Sequence, residues 1–422
     1  MTDLAWINTT LTSARPQAVA ALLRYFRDLD TAEEAFQESC LRALKTWPQN
    51  GPPRDPAAWL IMVGRNSAID AVRHRSKQEA LPADDVVSDL DDAESAIAER
   101  LDDAHYRDDI LRLLFICCHP DLPVTQQIAL ALRVVSGLSV KEIARAFLSS
   151  ESAMEQRITR AKRRVADAEV PFATPGAPER AQRLAAVAAM IYLLFNEGYS
   201  ASGGDAHLRA PLCDEAIRLS RLLLRLFPSE PEIMGLTALL LLQHARAPAR
   251  LDADGAIVLL EDQDRSLWDR KMIAEGLALI DKAVRHKRPG PYQVQAAIAA
   301  LHSQADRPEA TDWSQIDLLY ATLERLQPSP IVTLNRAVAV AKVRGPEAAL
   351  AMIEPLASQL SGYFYFFGVK GGLLMQLGRS EEARVAFDRA IAVANTAAEA
   401  AHIRMHLDRL TKDSAAGARA TS

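Results

Sequence analysis

The stretch LSVKEIARAFLSSESAMEQRITRAKRRV, residues 138–165, decides how the chain is read. Ser139 stands where it can cap a helix, and Glu142 three positions on completes a capping box. Ile143, Ala144 and Phe147 follow as one apolar face. Leu148, Ser149 and Ser150 form a turn, and Ser150 caps a second helix in which Met154, Ile158, Ala161 and Val165 recur at i, i+4, i+7 and i+11. That stripe packs inward. The opposite face then presents Ser152, Gln156, Thr159, Arg160 and Arg163, with Lys162 and Arg164 at its flanks. Two helices joined by a tight turn, the second polar and then basic along its outer face, predict a helix-turn-helix suited to base edges followed by phosphates. The plainer alternative is a surface amphipathic helix whose basic end is favoured by the helix dipole. Glu151 and Glu155 count against a strong electrostatic grip, although both also suit a helix N-terminus or the amino groups of cytosine.

The surrounding composition limits what such a module can be. At 422 residues the chain exceeds one ordinary core, and roughly three units are expected. Few aromatics and abundant Ala and Leu favour helix over strand, which predicts an all-α protein. The net charge of −5 is unlike that of a free-standing DNA binder, which uses excess Lys and Arg to displace phosphate counterions. A nucleic-acid-bound partner would supply the affinity this chain lacks. The apolar run at residues 236–242 falls well short of the ~20 residues a bilayer span needs, and the N-terminus has no secretory pattern, so a cytoplasmic protein is expected. Four cysteines, Cys40, Cys117, Cys118 and Cys213, make no disulfide framework. Cys117, Cys118 and His119 lack the spacing of a tetrahedral metal site and read as buried structural residues, so no metal or cofactor is expected.

Helical periodicity runs over residues 15–75 and gives way at residues 79–106 to a linker in which Asp and Glu far outnumber Arg. A second helical block occupies residues 107–169, and the proline-bearing segment 170–182 closes it. The chain is then helical over 183–413, with a disordered tail at 414–422. Gly371, Gly378, Ala383, Phe387 and Ala390 fall at the small and aromatic positions of a tetratricopeptide helix pair, and Ala337 and Ala349 echo them about 34 residues earlier. Residues 331–410 therefore read as about two stacked helix pairs, whose small residues allow close approach and whose concave face suits peptides or other domains.

In the first block, TAEEAFQESCLRAL at residues 31–44 is a helix with a carboxylate-rich polar face. A proline-rich loop follows, then AAWLIMVGRNSAIDAVRHR at residues 57–75, where Asn66, Asp70 and Arg73 share a face and Trp59 reads as core packing. Together these segments resemble region two of bacterial sigma factors, and residues 137–165 resemble their region four. Order, spacing and acidic linker are similar to the compact extracytoplasmic-function group. NEGYSAS from Asn196, LLEDQDRSLWDR from Leu259, GPYQVQAAIAA from Gly290 and PSPIVTLNRAVAV from Pro328 are similar to the subgroup with a tetratricopeptide-like extension.

The resemblance implies that Glu33, Glu34, Gln37, Glu38 and Arg42 dock on the clamp helices of core RNA polymerase, whose flap receives region four. It implies that the loop 49–55, with Gln49, Asn50 and Arg54, captures a flipped base of the minus-ten element of promoter DNA, and that Arg65, Asn66, Arg73 and Arg75 lie beneath the melted strand. Flipping costs a few kcal/mol, so a pocket must compensate for lost stacking. It implies that Gln156, Arg157 and Arg160 read the minus-thirty-five element, with Ser152, Thr159, Arg163 and Arg164 beside them. Polymerase then carries the DNA, and an acidic chain can contribute discrimination rather than bulk affinity. Two features depart from the family pattern: Leu148 stands where many such turns have Gly, and Glu155 stands near where many recognition helices have Lys.

Glu261, Asp262, Asp264, Arg265, Trp268, Asp269 and Arg270 form a charged cluster in the extension, beside a second polar group at Asn196, Glu197 and Tyr199. Nucleophile–base spacing, a phosphate-cradling glycine loop and a metal set are all missing from the sequence, so no catalytic residue is assigned. The cluster reads as helix caps and hydrogen-bonded pairs, with a ligand or regulatory-protein site as the alternative. Two other functions compete with a sigma factor: an autonomous helix-turn-helix regulator with a sensor domain, and a tetratricopeptide adaptor that never touches DNA. Only the sigma reading accounts for residues 31–75.

Overall fold

Asp28 opens the helix Leu29–Asn50, its carboxylate accepting from the Thr31 N–H at 2.7 Å. The same device recurs along the chain: Asp269 accepts from the N–H groups of Lys271 and Met272, Asp312 from Gln315 and Ser329 from Ile331. Each cap satisfies donors that a helix start otherwise leaves without partners, a contribution of about 1 kcal/mol apiece.

The computed structural model describes residues 5–76, 103–147, 149–167, 177–199, 206–252, 258–394, 399–401, 403–405 and 407, with the side chains of 5, 68–76, 103–108 and 206–210 excepted. Among these residues the regular structure is helical, with no strand, as the composition predicts. The acidic linker and the C-terminal tail fall almost wholly outside the described residues. Where three units are expected, the chain divides into two, residues 1–194 and 195–422, because the first two sequence blocks share one body.

In the first unit, helices α1 (Ala5–Phe26), α2 (Leu29–Asn50) and α3 (Pro56–Ser76) pack as a bundle around Leu22, Phe36, Trp47 and Leu60. Trp47 lies against Trp6 and against half-buried Trp59, with ring centroids 6.3 and 5.4 Å apart. Helix α4 (Asp103–Cys117) packs on α1, where buried Asp109 meets Arg24 at 3.2 Å and Arg112 at 3.1 Å. Cys117 and Cys118 are buried as expected, and burial pushes the Cys118 thiol up to about 12. Helix α5 (Val124–Val134) then leads through Gly137, at φ 75°, into α6 (Val140–Ala146) and α7 (Glu151–Asp167).

The second unit is built on the helix Pro231–His244, which is buried on nearly every side from Ile233 to Leu242. Such all-round hydrophobicity in 14 residues is that of a central core helix, and no described helix is long and apolar enough to cross a membrane. Helices Ala206–Leu226, Arg270–Arg285 and Pro291–Gln304 surround it. Gly235 permits the last of these to approach closely, since a Cβ there would lie 2.6 Å from the Gln293 nitrogen. Further on, Pro330–Arg344, Pro346–Ile353, Phe364–Gln376 and Ser380–Ala392 form successive antiparallel pairs. Ala337, Ala349, Gly371, Ala383, Phe387 and Ala390 are all in that core, at the small and aromatic positions read from sequence.

Candidate nucleic-acid interface

The capping box at the start of α6 is formed on both sides. The Glu142 N–H donates to Ser139 Oγ at 3.2 Å, and the Ser139 N–H donates to the Glu142 carboxylate at 2.8 Å. The Ser139 hydroxyl also donates to Glu142 Oε2 at 2.7 Å, and this contact first, with that from the Ser139 N–H second, holds the Glu142 carboxyl below its ordinary value. Ile143, Ala144 and Ala146 are buried, whereas Phe147, expected in the same face, is half-buried because it already terminates the helix. The Ser149 N–H returns to the Ala144 carbonyl at 2.9 Å, and Ser150 Oγ accepts from the Ala153 N–H at 3.2 Å to start α7. Leu148 lies outside the described residues.

On α7 the apolar stripe Met154, Ile158, Ala161 and Val165 is buried, as its period requires. The larger three contribute about 1.5–3 kcal/mol each in holding the helix phase. That phase turns Ser152, Gln156, Thr159, Arg160, Arg163 and Arg164 fully outward and leaves Arg157 half-buried. Arg157, Arg160, Arg163 and Arg164 make no ion pair among the described residues. Their donors are therefore available to an anionic partner. Lys162, also basic and beside them, is committed elsewhere: its ammonium lies 2.5 Å from Glu33 Oε2 and 2.6 Å from Asp30 Oδ1, both on α2.

Glu33 is thus not on the outer face of α2. It is 4 % exposed and also accepts from Arg15 at 3.0 Å. Arg15 reaches on to donate to the carbonyls of Val134 and Arg133 at 2.9 and 3.1 Å, closing the C-terminus of α5. The physical reason for the burial is charge: two cations brought in by α1 and α7 make an otherwise costly buried carboxylate tolerable. Glu34, Gln37, Glu38 and Arg42 do face outward as one strip, with Arg42 3.7 Å from Glu38. Leu41 and Leu44, 54 % and 47 % exposed, belong to the same surface and are not among the docking residues that the resemblance implies. Exposed leucines in a strip of charges are the signal that could have found them.

The expected loop after α2 is shorter than its prolines imply. Helix α2 continues through Pro48, so Gln49 and Asn50 occupy its last turn, exposed, and Gly51 at φ 78° ends it. Arg54 is exposed in the remaining loop, where Asp55 accepts from the Ala58 N–H at 3.0 Å to start α3. On α3 Arg65 and Asn66 are exposed, and Arg65 lies over the ring of Tyr25 at 5.4 Å. Arg73 and Arg75 are in α3, but their side chains lie outside the described residues.

Residues 11–78 match Sigma-70 region 2, residues 112–165 match Sigma-70, region 4, and residues 183–284 match a family of unknown function, DUF6596. Over 415 residues, 98 % of each chain, the sequence is 73 % identical to the uncharacterized protein R00370 of Rhizobium meliloti (strain 1021). With the two regions in sequence order, and a polar and basic helix face exposed on the second, the chain carries the Sigma-70 regions that support a sigma factor for promoter-specific transcription.

Proposed function

We propose that the protein is a sigma factor of the extracytoplasmic-function type whose C-terminal helical unit, with tetratricopeptide-like pairs over residues 331–410, regulates it. The outward strip of Glu34, Gln37, Glu38, Leu41, Arg42 and Leu44 docks on the polymerase clamp helices, and region four sits at the flap. Gln49, Asn50, Arg54, Arg65, Asn66, Arg73 and Arg75 serve the minus-ten element. Ser152, Gln156, Arg157, Thr159, Arg160, Arg163 and Arg164 serve the minus-thirty-five element. The observation that carries this reading is the unpaired outer face of α7, held in phase by four buried residues.

The two promoter elements lie about two helical turns of duplex apart, roughly 70 Å. Lys162 cannot hold Glu33 while the helices bearing them occupy those two sites. The arrangement described here is then a closed form, in which α7 spends one of its cations on region two instead of phosphate. Run-off transcription with purified core polymerase and a library of promoter fragments tests the reading. Initiation above that of core alone, with co-purification of polymerase, is expected; neither effect would leave the chain as an adaptor or an autonomous regulator.

A further inference from the structure

In the second unit, partly buried arginines are generally matched by carboxylates. Arg218 meets Glu215 at 2.7 Å, Arg221 meets Glu275 at 2.6 Å, and Arg336 meets Asp317 and Glu324 at 2.7 and 2.6 Å. Arg246, Arg250 and buried Arg265 depart from this pattern, and exposed Arg270 lies beside them. None of them forms an ion pair among the described residues, although the chain as a whole is acidic.

These arginines are neighbours. Arg246 donates to the Tyr199 hydroxyl at 2.9 Å and to the Gln243 side-chain oxygen, and the Tyr199 hydroxyl donates to that same oxygen at 3.1 Å. Arg250 lies 3.5 Å above the Tyr199 ring and donates to the Tyr199 carbonyl at 2.8 Å. Arg265 donates to the carbonyls of His302 and Ala305, and Arg270 donates to the Arg265 carbonyl at 3.2 Å. Arg246 and Arg250 each use one terminal nitrogen, which leaves most of their N–H donors without an acceptor among the described residues. In the loop that carries Arg265, Arg265 Nε, Trp268 Nε1 and Gln263 Oε1 are buried without hydrogen-bond partners among the described residues. Buried polar atoms are rarely left so, and several in one place point to a missing group.

We propose that Arg246 and Arg250, oriented by Tyr199 and Gln243 and backed by Arg265, bind a small oxyanion of more than one negative charge, a phosphoryl group or a polycarboxylate. Forked guanidinium donors fit such oxygens, and the fixed tyrosine and glutamine hold the forks in place. Among the described residues, Asp306 and Glu309 act on Arg265 from beyond ion-pair distance, and Glu399 bonds Tyr365. The field is visible at His302, whose imidazole is pushed down to about 4 by burial and then by Arg246 and Arg265. An anion here offsets those charges and returns His302 toward its ordinary value.

Calorimetric titration of the full-length protein with inorganic phosphate and with citrate, each against sodium chloride at matched ionic strength, tests the site. Saturable binding of at least one is expected, with affinity falling on the order of tenfold or more in Arg246→Gln and in Arg250→Gln. Phosphate alone identifies a phosphoryl ligand, and citrate alone a polycarboxylate. The His302 ring resonances, followed by NMR, should titrate at higher pH when the anion is bound. Binding that is not saturable, or that is unchanged in both folded variants, overturns the proposal. Arg265 is left intact because its guanidinium closes the end of the helix Pro291–Gln304. Transcription with core polymerase is a separate measurement, so failure here leaves the sigma reading untouched.

Discussion

The carboxylate of Glu33 lies 2.5 Å from the ammonium of Lys162, joining the bundle that carries the region-two match to the last helix of the region-four match. Arg15 takes the other carboxylate oxygen at 3.0 Å. Glu33→Gln removes the single anion between two largely buried cations, and breaking such a group costs up to about 3 kcal/mol once the partial exposure of Lys162 is allowed for. Denaturant unfolding should show this loss, and X-ray scattering should show a larger radius of gyration. A variant of unchanged stability and size would mean that the contact holds nothing closed.

Alkaline pH should open the same contact. Burial lowers the Lys162 pKa, but Glu33 and then Asp30 outweigh it, and the folded-state value stands above 10.5. A raised lysine value means stabilisation that is complete below 10.5 and lost only as the pH rises through the raised value. The closed form should therefore be indifferent to pH across neutrality and expand in strong base. Lys162→Met should abolish that alkaline dependence; a transition that persists in the variant must come from another group.

Arg160 is exposed and makes no ion pair, so Arg160→Ala should change folding stability by less than about 0.5 kcal/mol. Promoter binding is expected to fall. Uniform loss over all promoter variants, with a shallower salt dependence, identifies a phosphate contact; relaxed preference at one position, about 1–3 kcal/mol, identifies a base contact. Unchanged transcription from every template would mean that α7 presents another face.

What was legible in the sequence was what depends on near neighbours. The stripe from Met154 to Val165 and the Ser139–Glu142 box follow from spacings of three and four, and both stand in the structure as read. Glu33 and Glu34 are adjacent and look alike in sequence, yet one is buried and the other exposed. The distinction comes from Arg15, whose reach to Val134 spans 119 positions, and from Lys162, which is 132 positions from Asp30. Pro48 misled in a different way. A proline ordinarily ends a helix, but here Trp47, wedged between Trp6 and Trp59, holds the last turn until Gly51.

The capping box gives a prediction confined to the helix-turn-helix. Ser139→Ala removes the hydroxyl that caps the Glu142 N–H, at a cost of about 1 kcal/mol. The depressed Glu142 carboxyl supplies stability above its ordinary 4.5 that is lost as the pH falls through the lowered value. In the variant that acid-side dependence should weaken and the Glu142 titration, followed by NMR, should move back up toward 4.5. A titration unaffected by the substitution would show that the Ser139 N–H alone sets it.

Gly371 tests the close helix approach in the second unit. Its helix, Phe364–Gln376, packs on Ser380–Ala392, and a Cβ at 371 would lie 2.4 Å from the ring of Phe387, which is itself 1 % exposed. The ring has no room to withdraw, so Gly371→Ala should destabilise this unit by about 1–3 kcal/mol, the range for overpacked cores. If crowding is the cause, Phe387→Leu should make the two changes less than additive, because the smaller side chain vacates the contested space. Hydrogen exchange separates the outcome by location: faster exchange is expected in residues 364–392 and not in α7. Strict additivity would place the penalty elsewhere than at the ring and would remove the reason for a small residue at this position.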